Sequence, residues 1–263
     1  MTDLADKYGK WSIVAGGSDG VGASFAHQLA ARGLNVAIVA RRIPVLEAIA
    51  DDIRTQHHVD VRVLPLDLSA PDGITQLADA TSDLDVGLFV YNVGGDVRGG
   101  TFLERPIETH FDLVRRNCLS VLEAAYRFGA PMVERGRGAL VLVTSGAAWA
   151  GSARTVAYGA TKAFDLILAE GLWAEWHASG VDVLGLVLGA TDTPSLHMVL
   201  QGHTLPFALA DPDDVAREAL DHLGDGPTWM YGYDDPTGAS PSGAMRRRDA
   251  VLAATRGTSG IKA

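Results

Sequence analysis

A single cysteine, Cys118, rules out any disulfide within the chain, and with it the small secreted scaffolds that depend on such bridges. No apolar stretch approaches the ~18–20 residues that a membrane-crossing helix needs. The first ten residues carry four charged side chains and lack the apolar segment of a secretion signal. Positive charge is also scarce: 22 Lys and Arg stand against 32 Asp and Glu, for a formal net charge of −10. The one compact basic run, residues 245–248, holds three arginines. A chain of this sign repels polyphosphate at long range, so nucleic acid is not expected as a partner. The eight histidines show no spacing with cysteine or paired carboxylates that would build a metal site. What remains after these exclusions is the expectation of a cytoplasmic protein that is neither bound to nor embedded in a membrane.

What is present is an ordinary globular composition, 47% hydrophobic over 263 residues, enough to build a sizeable core. Short β-rich apolar runs at residues 11–15, 35–40, 61–66, 86–91, 139–144 and 181–188 alternate with longer stretches of helical spacing. Uninterrupted apolarity at this length suits parallel strands covered on both faces. The helical stretches are 21–32, 45–57, 107–128 and 157–178, the last marked by Phe164, Ile167, Leu168, Leu172 and Trp176 at i, i+3, i+4 spacing. Asp211-Pro212 opens a further helix as an N-cap followed by proline, and residues 228–233 read as a seventh strand. The order predicts an α/β fold, a Rossmann-type doubly wound parallel sheet of about seven strands with helices on both faces. One domain is expected over residues 1–263, with 190–210 as a lid and 234–263 as a C-terminal tail or inter-subunit arm.

Ligands in such sheets bind beyond the carboxyl ends of the strands, where strand order reverses. Directly after the first strand stands Ala15-Gly16-Gly17-Ser18-Asp19-Gly20-Val21-Gly22, followed by a helix. Gly16, Gly20 and Gly22 let the backbone turn tightly and approach a pyrophosphate at the helix N-terminus, with Ser18, Asp19 and Val21 in the same turn. An acidic residue at the end of the second strand would accept a ribose 2′-hydroxyl, whereas arginine suits a 2′-phosphate. The chain has Arg41 and Arg42 there and no acid, which favours NADP(H) over NAD(H), although Asp19 works against a nearby phosphate. Asp67 and Leu68, after the third strand, are candidates for contact with the adenine.

Tyr158 and Lys162 are four apart on a predicted helix and share a face. Chance would supply roughly 0.1 such Tyr-x3-Lys pairs in a chain of this composition, but Ser145 lies thirteen residues earlier at the carboxyl end of the fifth strand. The three fit one reaction. A carbonyl that accepts a hydride develops negative charge and must receive a proton. A free phenol titrates near ~10, and a neighbouring ammonium favours its phenolate. A serine hydroxyl can hold the substrate oxygen against the phenol.

Taken together, these motifs resemble the short-chain dehydrogenase/reductase family over about residues 10–233. The resemblance implies that the glycine turn binds the cofactor and that Ser145, Tyr158 and Lys162 form the catalytic set. It implies further that Asn117 holds a water in the proton relay to lysine, and that Asn92 and Gly94 belong to the segment steadying the central sheet beside the cofactor. Gly189, Thr191 and Thr193 would touch the nicotinamide end. Three departures stand out: Ala15 for the usual threonine, Tyr91 and Val93 in the asparagine motif, and Leu188 for proline. The glycine turn with Ala40-Arg41-Arg42 is similar to the branch of long-chain 3-ketoacyl-CoA and 17-hydroxysteroid reductases. Family members pair through two long helices, so a homodimer or homotetramer is implied.

In such proteins the segment after Thr193 closes over the substrate, and here it holds Leu196, Met198, Val199, Leu200, Leu205 and Phe207. If these face the cleft with Trp149 and Val156, a hydrophobic ketone or alcohol is the expected small-molecule partner; equally, they would pack as an amphipathic helix on the domain. Arg98 and Arg154 are candidates to meet an acidic substrate group. The alternatives are a non-enzymatic NADP(H)-binding sensor, or a dehydratase or epimerase using the same tyrosine.

Overall fold

A computed structural model describes residues 4–96, 100–231, 248–249 and 252. After a short N-terminal helix α1 (Leu4–Tyr8), strands and helices alternate: β1 (Trp11–Ala15), α2 (Gly20–Ala31), β2 (Asn35–Ala40), α3 (Ile43–His57), β3 (Val61–Pro65), α4 (Gly73–Ala80) and β4 (Val86–Tyr91). The second half runs α5 (Ile107–Val114), α6 (Ser120–Glu134), β5 (Gly138–Ser145), α7 (Val156–Trp176), β6 (Val181–Leu188), α8 (Pro194–Leu200), α9 (Pro212–Asp221) and β7 (Thr228–Met230). The seven strands form one parallel sheet in the order β3-β2-β1-β4-β5-β6-β7. Strand order therefore reverses between β1 and β4, and a crevice opens there at the carboxyl ends.

Period-two alternation sends successive strand residues into separate cores. Val14, Ile38 and Val90 pack with Phe25 and Leu29 of α2, Ile53 of α3 and Val215 of α9. Ile13, Val39 and Phe89 pack with Leu77 of α4, Phe128 of α6 and Trp173 of α7 on the other side. Asp211 caps α9 through a 2.7 Å bond from the Asp213 N–H, and proline follows at the first turn.

Three expectations change in detail. The helix read over 107–128 is two helices, α5 and α6, joined by a π-helical turn at Arg115–Leu119. The apolar stripe of α7 marks its buried side only in part, with Leu168, Leu172 and Trp176 partly buried against the core. Lys162, Asp165, Leu166, Ala169, Glu170 and Trp173 face inward, while Phe164 and Ile167 are exposed. The seventh strand covers Thr228–Met230, and residues 232–233 lie outside the described residues. So do Arg98 and all of the tail 234–263 except 248, 249 and 252.

Candidate active site

A continuous cleft runs along the carboxyl ends of β1, β2, β4 and β5. Its first part, a trough of about 540 Å³, is lined by Gly16, Ser18, Asp19, Arg41, Arg42, Asp67 and Leu68. Its second part, a chamber of about 980 Å³, is lined by Gly20, Val21, Ser145, Tyr158, Lys162, Gly189, Thr191 and Thr193. Asp19, Asn92, Gly94, Gly95, Asp96 and Ser195 border both. The groups named from sequence at the phosphate end and at the chemical end thus share one space.

The glycine turn is built for close approach. A Cβ at Gly22 would fall on the Gly16 carbonyl oxygen and lie 2.6 Å from Asn92 Nδ2, so the helix and the turn touch backbone to backbone. Gly22 itself is absent from the cleft wall; among the described residues its part is packing. Asn92 fastens the same turn, its backbone N–H donating to Ala15 O (2.9 Å) and its Nδ2 to Gly16 O (3.2 Å). The N-cap of α2, Asp19, makes no side-chain cap, so its carboxylate does not compete for the helix's leading amides. That carboxylate instead pairs with Arg42, which also reaches Ser18 Oγ at 3.3 Å. Arg41 is largely solvent-exposed, with its Nη1 4.0 Å from Asp67 Oδ2. Burial opposes ionisation of Asp67, but two hydrogen bonds from Ser69 and the charge of Arg41 hold its carboxyl below the usual range.

At the chemical end the order is tighter. Ser145 ends β5 and caps the following 3-10 turn, its Oγ accepting from the Ala147 N–H at 3.2 Å; the hydroxyl hydrogen is left to donate into the chamber. Lys162 is 4% exposed, and its Nζ donates to Val143 O (2.8 Å) and to Asp165 Oδ2 (2.9 Å). Thr144 Oγ1 in turn donates to Lys162 O (2.7 Å), so β5 grips both ends of the lysine. Asn117 lies fully buried in the π turn and gives its Nδ2 protons to Gly94 O (3.2 Å) and Thr161 Oγ1 (2.8 Å). Thr161 donates to Tyr158 O (2.8 Å). The π turn is anchored by Tyr91, whose hydroxyl donates to Arg116 O (2.7 Å), and by Ser120 Oγ on Arg115 O (3.0 Å). Turns of this kind recur at functional sites because the bulge re-aims one side chain. The tyrosine that breaks the asparagine motif is therefore the residue that pins Asn117. Gly94 has φ +138°, and a Cβ there would sit 2.6 Å from Asn117 Oδ1 and 3.0 Å from Lys162 Nζ, so no larger residue fits.

Of the residues named for substrate contact, Ser145 and Tyr158 line the chamber, and two others are placed differently. Trp149 follows the 3-10 turn, its backbone N–H donating to Gly146 O at 3.2 Å, and it lines neither part of the cleft. Met198 lines the trough, while Leu196 and Val199, on other faces of α8, line the chamber. Thr193 caps α8 by accepting from the Leu196 N–H at 3.2 Å. Three residues were not legible as site members: Thr161, which links Asn117 to the Tyr158 carbonyl; Arg116, which donates to Gly95 O at 3.0 Å; and Asp165. The available signal for Asp165 was an acid in the middle of an apolar helix, three residues from a lysine.

The cleft fits a dinucleotide on the structure's own terms: a glycine turn without room for side chains, a helix N-terminus free of a side-chain cap, and an unbroken path from Arg41 to Lys162. Asn117 Oδ1, buried and unpartnered among the described residues, offers an acceptor beside this path. Among the described residues no group of acids, histidines and cysteine is arranged to hold a metal, and no helix is long and apolar enough to cross a membrane.

Comparison with known proteins agrees with this geometry. The family model described as short chain dehydrogenase matches residues 10–203. A 7beta-hydroxysteroid dehydrogenase of Mediterraneibacter gnavus is 32% identical over 84% of this chain and 85% of its own length. A very-long-chain 3-oxoacyl-CoA reductase-like protein of Arabidopsis thaliana is 29% identical over 86% of this chain and 75% of its own. Among solved structures, a short-chain dehydrogenase from Sphingobium yanoikuyae in complex with NADPH superposes with a TM-score of 0.82 at 28% identity, covering 96% of each chain. With three quarters of its length matched by the family model and a seven-stranded parallel sheet to carry the site, the chain belongs to the short-chain dehydrogenase family, oxidoreductases that interconvert alcohols and carbonyl compounds.

Proposed function

We propose that this chain is an NADP(H)-dependent oxidoreductase that interconverts a bulky hydrophobic ketone and its secondary alcohol, with Tyr158 as general acid and base. The observation that carries this is the unbroken cleft from Arg41 and Arg42 to Ser145, Tyr158 and Lys162. Gly16, Ser18, Gly20, Val21 and Asn92 hold the pyrophosphate side, Asp67 and Leu68 the adenine, and Gly94, Gly189, Thr191 and Thr193 the nicotinamide end. A nicotinamide held there would supply or accept a hydride. Ser145 donates a hydrogen bond to the substrate oxygen, and Tyr158 gives that oxygen a proton in reduction or removes one in oxidation. Lys162, one turn further along α7, brings its ammonium to the same wall of the chamber. Asn117 fixes the helix junction behind them and keeps an acceptor for a relay water.

For the substrate, Leu188, Leu196 and Val199 line the chamber with apolar surface, and its volume suits a multi-ring or long-chain ketone. The hydroxysteroid and 3-oxoacyl-CoA relatives point the same way. Residues 190–210 act as the lid: the Thr191–Ala210 bridge closes its base, and α8, none of whose residues is fully buried, spans trough and chamber. A second copy of the chain covers the outward surface of α5, α6 and α7, where Phe111, Leu119, Leu122, Tyr126 and Ile167 are exposed. Composition alone supports the cytoplasm as its location.

Absorbance of NADPH and NADH in the reduced-nicotinamide band, followed across steroid ketones and 3-oxoacyl thioesters, tests the activity. Oxidation of NADPH by at least one member is expected; retention of cofactor with no net oxidation across the panel would point to a binding protein or an epimerase. Replacing both Arg41 and Arg42 by Ala removes charge-assisted bonds worth about 10–100-fold in Kd. That loss is expected for NADPH and not for NADH, and equal losses would overturn the 2′-phosphate assignment.

A further inference from the structure

Asp165 is a carboxylate with no place in the reaction described so far. It is 1% exposed, one helical turn after Lys162, with Oδ2 bound to Nζ at 2.9 Å and Oδ1 unpartnered among the described residues. As a device for stability such a pair is poor: two charges lose their water, and an apolar residue of similar volume commonly serves as well or better. An ammonium has three donors. Here Val143 O and Asp165 take two of them, leaving one for the chamber that Lys162 lines.

We infer that Asp165 is a positioning residue that holds Lys162 in place and offsets its charge, setting how strongly the lysine acts on Tyr158 and on a cofactor in the cleft. This rests on the proposed roles of Tyr158 and Lys162. Tyr158 and Asp165 are seven residues apart on one helix, nearly two turns, so they share a face at ~10 Å. At that distance and an effective dielectric of about 20, one charge moves a titration by roughly one pH unit. The groups facing Asp165 are Lys162 on its own helix, the Tyr91 hydroxyl from β4 and the Cys118 thiol from the π turn. Of these only Lys162 is cationic. Burial raises both the tyrosine and the thiol, keeping each neutral through the physiological range, so neither shares the load of the carboxylate. Burial also pushes Asp165 up, to about 6, against the pull of Lys162. Above that pH the pair is close to neutral; below it the ammonium acts alone.

The test is Asp165→Asn, which keeps the volume and an acceptor for Nζ but removes the charge. The half-maximal pH of kcat/KM for alcohol oxidation should fall by about one unit. In a turnover-free readout, fluorescence titration with NADH (chosen because it lacks a titrating 2′-phosphate), the variant should bind several-fold more tightly than wild type at pH 8. The two should converge near pH 5, where the wild-type carboxyl is protonated. A pH profile and an NADH affinity identical to wild type at every pH would overturn the inference, since a merely structural acid changes melting temperature and neither of these. Should the variant fail to fold, the wild-type protein decides alone: its NADH affinity must weaken between pH 5 and 8, and a flat curve overturns the inference. The underlying reading fails separately, through an active Tyr158→Phe. If Tyr158→Phe is inactive and Asp165→Asn shows the wild-type profile, the role of Asp165 alone is refuted.

Discussion

On its inner face α7 buries Lys162, Asp165 and Glu170 beside Leu166 and Trp173; on its outer face it leaves Phe164 and Ile167 in solvent. An ordinary surface helix is arranged the other way. The inner polar groups are tolerated because each has a partner: the Val143 carbonyl and Asp165 accept from the Lys162 ammonium, and Thr228 Oγ1 donates to Glu170 at 3.1 Å. The outer apolar groups lie beside those of α5 and α6, forming one surface that a second copy would cover. The difference teaches that this helix is fixed by what it must present inward, and its exposed hydrophobicity is what the proposed second copy would cover.

The contrast between the faces can be broken in order of expected size. Tyr158→Phe removes the proton donor while keeping the ring, and kcat should fall about 10²–10⁴-fold with folding and NADPH affinity retained; wild-type turnover on the best substrate would remove the inner face's chemical role. Leu166→Ala, at a side chain 2% exposed, should cost about 2–5 kcal/mol in urea unfolding. A cost under about 1 kcal/mol would mean that this face is not core.

The next effect is in pH. The folded carboxyl of Asp165 titrates at about 6, above its ordinary 3.8, so the folded chain keeps that proton longer than the unfolded chain does. Its contribution to stability is therefore present at low pH and lost as pH rises through about 6, on the order of 2–3 kcal/mol at most. Thermal melts from pH 4 to 7 should show wild type losing ground against Asp165→Asn as pH rises; the opposite slope would contradict the raised titration. Smallest on the fold is the outer face. Ile167→Ala should change unfolding by under about 1 kcal/mol per subunit, whereas Ile167→Glu should shift the mass seen by light scattering toward a monomer. An unchanged oligomer would place the interface elsewhere.

Much of this arrangement was legible before any coordinates. The β-rich runs at β1, β2, β4 and β6 have the bounds the apolar pattern suggested, because a strand buried on both faces is apolar along most of its length, with Ser12 and Asp182 admitted where each finds a hydrogen-bond partner. The glycine turn was legible for a similar reason: its position between a strand and a helix leaves little else for three glycines to do. The π turn was not, since an inserted residue leaves helical periodicity nearly unchanged over a single turn. Trp149 lines neither part of the cleft, and the 3-10 turn before it has no signature in composition. Thr161 was not legible because its partner Asn117 lies 44 residues away, and Asp165 was not because an acid three residues after a lysine reads as an ordinary surface ion pair until the packing buries both.

By itself the sequence determined the sheet, the order of the motifs along it and the residue types at each end of the cleft. These follow from local periodicity and from glycine, serine, tyrosine and lysine at fixed spacings. The tertiary structure alone decided which face of α7 is buried, that Arg42 is tied to Asp19 while Arg41 stands freer, and that a carboxylate sits against Lys162. The reason is physical: burial and charge pairing are properties of the space between elements, and that space exists once the helices have packed on the sheet.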